Sequence, residues 1–175
     1  MRASSPRRSA GPSDIATSHS RRGAKAFGRR GFEATKLTLD DINDQLAGLG
    51  LARSQLVEEC HQGLEMVLLV EITGASGVGK SVILKHPVAR LETEGTVMLL
   101  APGRITPGGW PKMAQALGCE ASRDELLNEL ACGGCGMLFI DNVDQVDDER
   151  EKITLRDLLR GVVGNRSWRA VVTVR

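Results

Sequence analysis

The chain has 175 residues, enough for one domain with a real core. Hydrophobic residues make up 41% of it but aromatics only 3%, with no Tyr, so the core must be Leu, Val, Ile and Ala, as in a buried parallel sheet. The formal charge of +1 is uneven: residues 1–36 carry +7 and the remainder −6, which gives the body no basic surface for nucleic acid. No apolar run reaches the ~18 residues of a membrane span, and four scattered cysteines are too few for a disulfide scaffold, so a reducing, cytoplasmic setting is expected.

Residues 1–36, rich in Ser, Arg, Gly and Pro, are predicted to form a disordered basic tail. Their acid-poor composition is that of an organellar targeting peptide, and phosphate-backbone binding is another reading. A solvated tail, or a start placed too far upstream, is the simplest. Residues 37–65 read as a helical N-terminal extension. Thr38 with Asp41 three residues later is a helix start of the capping-box kind, with Asp in place of Glu. Leu46, Leu49, Leu56 and Cys60 fall near helical spacing, and Gly48 and Gly50 are expected to split the stretch into two helices.

From residue 66 onward strands and helices alternate. Met66–Thr73, reading MVLLVEIT, has strand length and composition. A helix is expected from Gly79 to Glu94, although Pro87 inside it removes a hydrogen bond and predicts a kink or break near Lys85–Pro87. A second strand spans Thr96–Ala101. The loop Pro102–Gly109 then leads to a short helix, Trp110–Leu117, with Pro111 in its first turn. Ser122 and Glu125 form a capping box for a helix to about Ala131. Met137–Asp141 is a third strand, Asp148 to Val162 a helix with Ile153, Leu155, Leu158, Leu159 and Val162 on its apolar side, and Arg169–Val174 a fourth strand. Such alternation means parallel strands joined by crossovers, hence an α/β sandwich with a mainly parallel sheet.

GASGVGKS, Gly74 to Ser81, matches the phosphate-binding pattern G-x-x-x-x-G-K-[ST] at every fixed position. The glycines free the backbone to turn successive N–H groups toward an anion. Lys80 supplies a cation for β- and γ-phosphates, and Ser81 a hydroxyl for the accompanying magnesium. The strand before the motif and the helix after it supply the required context, with helix amides adding attraction for phosphate. Gly74, Ala75, Ser76, Gly77, Val78, Gly79, Lys80, Ser81 and Val82 are therefore the expected nucleotide-binding residues. MLFID supplies the carboxylate partner: Asp141 ends a buried strand, at the side of a parallel sheet that borders the ligand crevice. Ser81 and Asp141 are the expected magnesium ligands. Asp144 could orient or activate water, and Asn142 could hydrogen-bond that water or the γ-phosphate. Turn formation is the plain alternative for both.

These motifs, with the closing VVTVR and the phrase APGRITPGGWPKMAQALG, resemble the nucleotide-binding domain of STAND-class P-loop ATPases, relatives of AAA+ proteins. The resemblance covers residues 37–175. It implies a P-loop three-layer sandwich over 66–175 and an ATP/ADP-dependent switch read by other domains. It also implies that Lys80, Asp141, Asp144 and Arg175 are the catalytic set, with Arg175 sensing the γ-phosphate. An ordinary charged residue after a strand is the alternative for Arg175. Members of the class carry a fifth strand beside the phosphate-loop strand and a helical lid. By that comparison the domain is incomplete at its C-terminal end: a fragment, a truncated gene, or a protein that needs a partner or self-association to finish its sheet. Strand 66–73 would then be an exposed edge.

Other residues carry weaker signals. Cys132-Gly-Gly-Cys135 offers only two metal ligands, and a loop with buried thiols is the simpler reading. His86 is expected on a helix surface, Arg104 in an exposed loop, and Trp110 as a packing anchor. The leading function is Mg-ATP binding with slow hydrolysis as a switch. The alternatives are an inactive nucleotide-binding interaction module or truncated remnant and, more weakly, a small-molecule kinase. No guanine-specifying motif and no transporter-ATPase signature is present.

Overall fold

The structure, a computed structural model, describes residues 33, 35–42, 45–46, 49–50, 54–91 and 95–175. Most of the basic tail, Gly48 and the expected helix end at Glu94 lie outside the described residues. Helix α1 covers 35–41. Strands β1 (Gln45–Leu46) and β2 (Leu49–Gly50) pair antiparallel, and α2 (Ser54–Met66) follows. Then come β3 (Leu69–Thr73), α3 (Lys80–Leu91), β4 (Thr96–Leu100), α4 (Trp110–Leu117), α5 (Arg123–Leu130), β5 (Gly136–Ile140), α6 (Glu149–Val163) and β6 (Trp168–Val174).

β3, β6, β5 and β4 form, in that order, a four-stranded sheet with every pair parallel. Alternation along each strand divides its side chains between two faces. Met98, Leu100, Leu138, Ile140, Trp168, Ala170 and Val172 pack with Met113 of α4, Leu126 and Leu127 of α5 and Leu155, Leu158 and Val162 of α6. Val97, Leu99, Met137, Phe139 and Val171 pack with Cys60 and Leu64 of α2 and Leu84 and Val88 of α3. Helices therefore cover both faces of a parallel sheet, which is the α/β architecture expected.

The two sheet edges differ. At β4, the Thr35 hydroxyl of α1 accepts a hydrogen bond from the Leu99 N–H at 3.0 Å. β3 lies at the opposite edge, with Leu69, Glu71 and Thr73 exposed on the face that α4, α5 and α6 cover elsewhere.

Several expectations need correction. Residues 37–65 are not two helices meeting at the glycines, because a short β1–β2 pairing lies between α1 and α2. Thr38 is buried inside α1 rather than starting it. Met66 ends α2, so the strand begins only at Leu69. Pro87 does not break α3, which runs from Lys80 through Pro87 to Leu91. The missing N–H and ring clash cost about 3 kcal/mol in a helix interior. Leu84 and Val88, on either side of Pro87, are fully buried against the sheet, and that burial offsets the cost. Cys132 and Cys135 are exposed rather than buried, while Cys60 and Cys119 are the buried thiols. Burial pushes the Cys60 thiol above its ordinary range.

Gly136 shows a close approach that only glycine allows: a Cβ there would lie 2.3 Å from the Trp168 ring. The ring is fully buried, and its Nε1 donates to the Leu127 carbonyl at 2.8 Å. Trp110 is a packing anchor as expected, set against the same core and donating from Nε1 to Ala121 O at 3.3 Å.

Candidate functional site

The 74–81 segment leaves the end of β3 and enters the first turn of α3. Gly77 (φ 78°) and Gly79 (φ 90°) adopt left-handed backbone that side chains with a Cβ resist. A Cβ at Gly77 would meet nothing within 4 Å, so glycine is required there for conformation and not for space. Gly79 O accepts from Ile83 N at 3.2 Å, which starts the helix. The first-turn amides of α3 have no acceptor within the helix and carry the positive end of its dipole. Gly79, Lys80, Ser81 and Val82 line a cavity of about 470 Å³ at that end.

Lys80 is buried, and its Nζ donates to Gly74 O at 2.7 Å and Ala75 O at 2.9 Å. The ammonium thus folds back onto the loop that carries it. An ammonium has three donors, so these bonds hold it in place without exhausting it.

Asp141 directly follows β5. The parallel register pairs Ile140 with Val172, so the next step sets Asp141 beside Thr173. Both project toward the face covered by α3. Asp141 Oδ2 accepts from Ser81 Oγ at 2.7 Å and from Asn142 Nδ2 at 3.0 Å, and Oδ1 accepts from Thr173 Oγ1 at 2.7 Å. The Thr173 hydroxyl in turn accepts from the Asn142 N–H at 2.7 Å. Asn142 has φ 49°, a left-handed turn that a short polar side chain tolerates. The turn brings its amide to Thr173 and its side chain to Asp141. A buried carboxylate with three donors in fixed positions is a rigid acceptor.

Ser76 and Gly77 also line the cavity, whereas Gly74, Ala75 and Val78 are not among its lining residues. Asp144 and Arg175 are not among them either. Asp144 sits on the 3-10 turn Val143–Gln145 and pairs with Arg175 instead: the Arg175 N–H donates to Oδ1 at 3.2 Å, and Nε lies 3.5 Å from Oδ2. Asn142 and Gln145 do face the cavity. The structure therefore brings Lys80, Ser81 and Asp141 together and sets Asp144 and Arg175 aside as a pair.

Sequence reasoning missed several contributors. Thr173 is the first, a hydroxyl within the apolar run AVVTV at the end of β6, where a polar residue signals a partner. Thr38 and Asp41 of α1 line the cavity, as does Arg104, which forms an ion pair with Asp41. Lys85 Nζ donates to Ile42 O at 3.1 Å, fixing the end of α1 to α3. His86 lies exposed on α3, as expected.

A smaller cavity of about 260 Å³ lies toward the amino ends of the strands, where His61, Glu65, Cys135 and Arg169 meet. No group of three or more His, Cys, Asp or Glu suited to a metal ion occurs among the described residues. No helix among them is long and apolar enough to cross a membrane. No protein-family model matches the chain, and no curated protein is significantly similar to it.

Proposed function

We propose that this chain binds Mg-ATP through the 74–81 loop and hydrolyses it slowly, as a nucleotide-dependent switch of the STAND-class P-loop type. The observation that carries this reading is the contact of Ser81 with Asp141 at 2.7 Å, beside a lysine held by the loop's own carbonyls. The fixed residues of a phosphate-binding motif and an acidic strand end, 60 positions apart in sequence, meet at one helix N-terminus.

In this reading loop and helix amides cradle the phosphates, and Lys80 leaves Gly74 and Ala75 to reach the β- and γ-oxygens. Ser81 and Asp141 offer two hard oxygen ligands. That suits Mg2+, which is commonly held by one or two protein groups together with phosphate oxygens and water rather than by a protein cage. Magnesium would neutralise charge between the phosphates; the chain itself supplies position and fixed dipoles.

Asp144 and Arg175 take up water activation and γ-phosphate sensing only if their mutual contact opens. Until then the residues of the 142–145 turn that face the cavity are Asn142 and Gln145, neither of them a base, and the Asp41 carboxylate on the lining is held by Arg104. That observation favours the second reading, a nucleotide-loaded interaction module with little turnover. Adenine nucleotides, ATP and ADP, are the proposed ligands and the cytoplasm the proposed setting. The exposed β3 edge is where a partner strand or self-association would extend the sheet.

Titration with ATP at varied magnesium, followed by a phosphate-release assay, tests the reading. Expected are magnesium-dependent binding, weakened by Asp141→Asn, and slow steady phosphate release. Tight binding without release selects the interaction module. Binding indifferent to Asp141 and to magnesium contradicts both.

A further inference from the structure

The cavity that holds Lys80, Ser81 and Asp141 is lined by a second cation, Arg104, on the loop after β4. Its partner in the structure is Asp41, from α1, which lines the same cavity. The two side chains are 41% and 63% exposed. Exposed ion pairs are weak because water screens them, so this one yields readily to a stronger acceptor. A phosphate is such an acceptor, because its oxygens take the guanidinium fork in two parallel hydrogen bonds and carry more charge than a carboxylate.

Strand order fixes the side from which Arg104 approaches. β4 lies beyond β5, and β5 is separated from β3 by β6. Arg104 therefore reaches the cavity past Asp141, opposite the 74–81 loop. A phosphate chain seated in the loop with its metal at Ser81 and Asp141 has its terminal phosphate on the Asp141 side. Arg175, the arginine expected to face that phosphate, is paired with Asp144 outside the cavity lining.

We propose that Arg104 is the triphosphate-selective ligand of this site, with Asp41 as the counter-ion that holds it until a terminal phosphate takes it. This rests on the nucleotide reading above and deepens it. Diphosphate, lacking the third phosphate, leaves Arg104 with Asp41. Triphosphate draws it away, and α1 then keeps its ties through Thr35 to Leu99 and through Ile42 to Lys85 but loses the one through Asp41. Any loss of hold on α1 is thereby linked to the presence of the terminal phosphate.

The test is calorimetric titration of Mg-ATP and Mg-ADP into the native chain, Arg104→Ala, Arg104→Lys and Asp41→Asn. Arg104→Ala is expected to weaken Mg-ATP by about tenfold, the effect of one charge-assisted hydrogen-bonding group, and to leave Mg-ADP within about twofold. Arg104→Lys should recover part of the loss, and Asp41→Asn should tighten Mg-ATP alone. Equal effects of Arg104→Ala on both nucleotides, or none on either, overturn the proposal while the nucleotide site stands. Failure of the native chain to bind Mg-ATP removes the site and the proposal together.

Discussion

The hydroxyl of Thr173 donates to Asp141 Oδ1 at 2.7 Å and accepts from the Asn142 N–H at 2.7 Å. One buried side chain on β6 thus fixes both the acidic residue after β5 and the turn that follows it. Thr173→Val keeps the shape and removes the hydroxyl, stranding a buried carboxylate oxygen and a backbone donor. A stability loss of about 1–3 kcal/mol is expected, read from denaturant midpoints. Thr173→Ser, which keeps the hydroxyl, should lose much less, and equal losses would contradict the role given to that oxygen.

Gly77 and Gly79 make a separable pair of tests. Each holds a left-handed φ, so alanine at either position costs about 1–2 kcal/mol in conformation. Gly77 has open space around its missing Cβ, so Gly77→Ala should fold and lose stability by no more than that amount. Thermal unfolding checks this. A larger loss would mean that the loop is packed where the structure leaves it open.

Gly136→Ala should destabilise the fold by about 1–3 kcal/mol, because the new methyl overlaps the buried Trp168 ring. The double change Gly136→Ala with Trp168→Leu should cost less than the sum of the two single changes, because the struck ring is then absent. Chemical denaturation of the single and double variants reads the coupling.

The capping box of α5 predicts a pH effect. Ser122 Oγ accepts from the Glu125 N–H at 3.3 Å, and the Glu125 carboxylate accepts from the Ser122 N–H at 3.0 Å and hydroxyl at 2.7 Å. The Ser122 hydroxyl, then its N–H, holds the Glu125 carboxyl below the usual range. A depressed folded-state value means that the stabilisation is complete above the ordinary glutamate range and lost as pH falls through the lowered value. Ser122→Ala should cost about 1 kcal/mol at neutral pH. The gap between the melting curves of variant and native chain should narrow in acid. A gap that is constant with pH would sink the assignment.

These elements also show what the sequence made legible. The start of α5 was visible because Ser122 and Glu125 specify their own hydrogen bonds, and that of α4 because Pro111 suits a first helical turn. The left-handed glycines and the Ser81–Asp141 meeting follow from motifs whose spacing encodes backbone geometry. The start of β3 was not visible, since the run MVLLV is apolar throughout and shows no change of period where α2 ends at Met66. The continuity of α3 through Pro87 depends on burial of Leu84 and Val88 against strands distant in sequence. The partners of Thr173, Arg104 and Asp41 lie far away in sequence, so no local pattern names them.

At the β3 edge, Leu69 is exposed on a strand with no neighbour on its outer side among the described residues. If this edge recruits another strand, sedimentation should show mass rising with protein concentration, and Leu69→Lys should shift the distribution toward monomer. Identical profiles for both chains would place any association elsewhere.

The central claim is that the 74–81 loop with Lys80 captures the phosphates of a nucleotide. Calorimetric titration of Mg-ATP into the native chain and into Lys80→Ala tests it most directly. The account predicts saturable binding by the native chain and a loss of at least about tenfold in the variant, as expected for removal of a charged hydrogen-bond donor. Equal affinities, or no binding by the native chain, would contradict it.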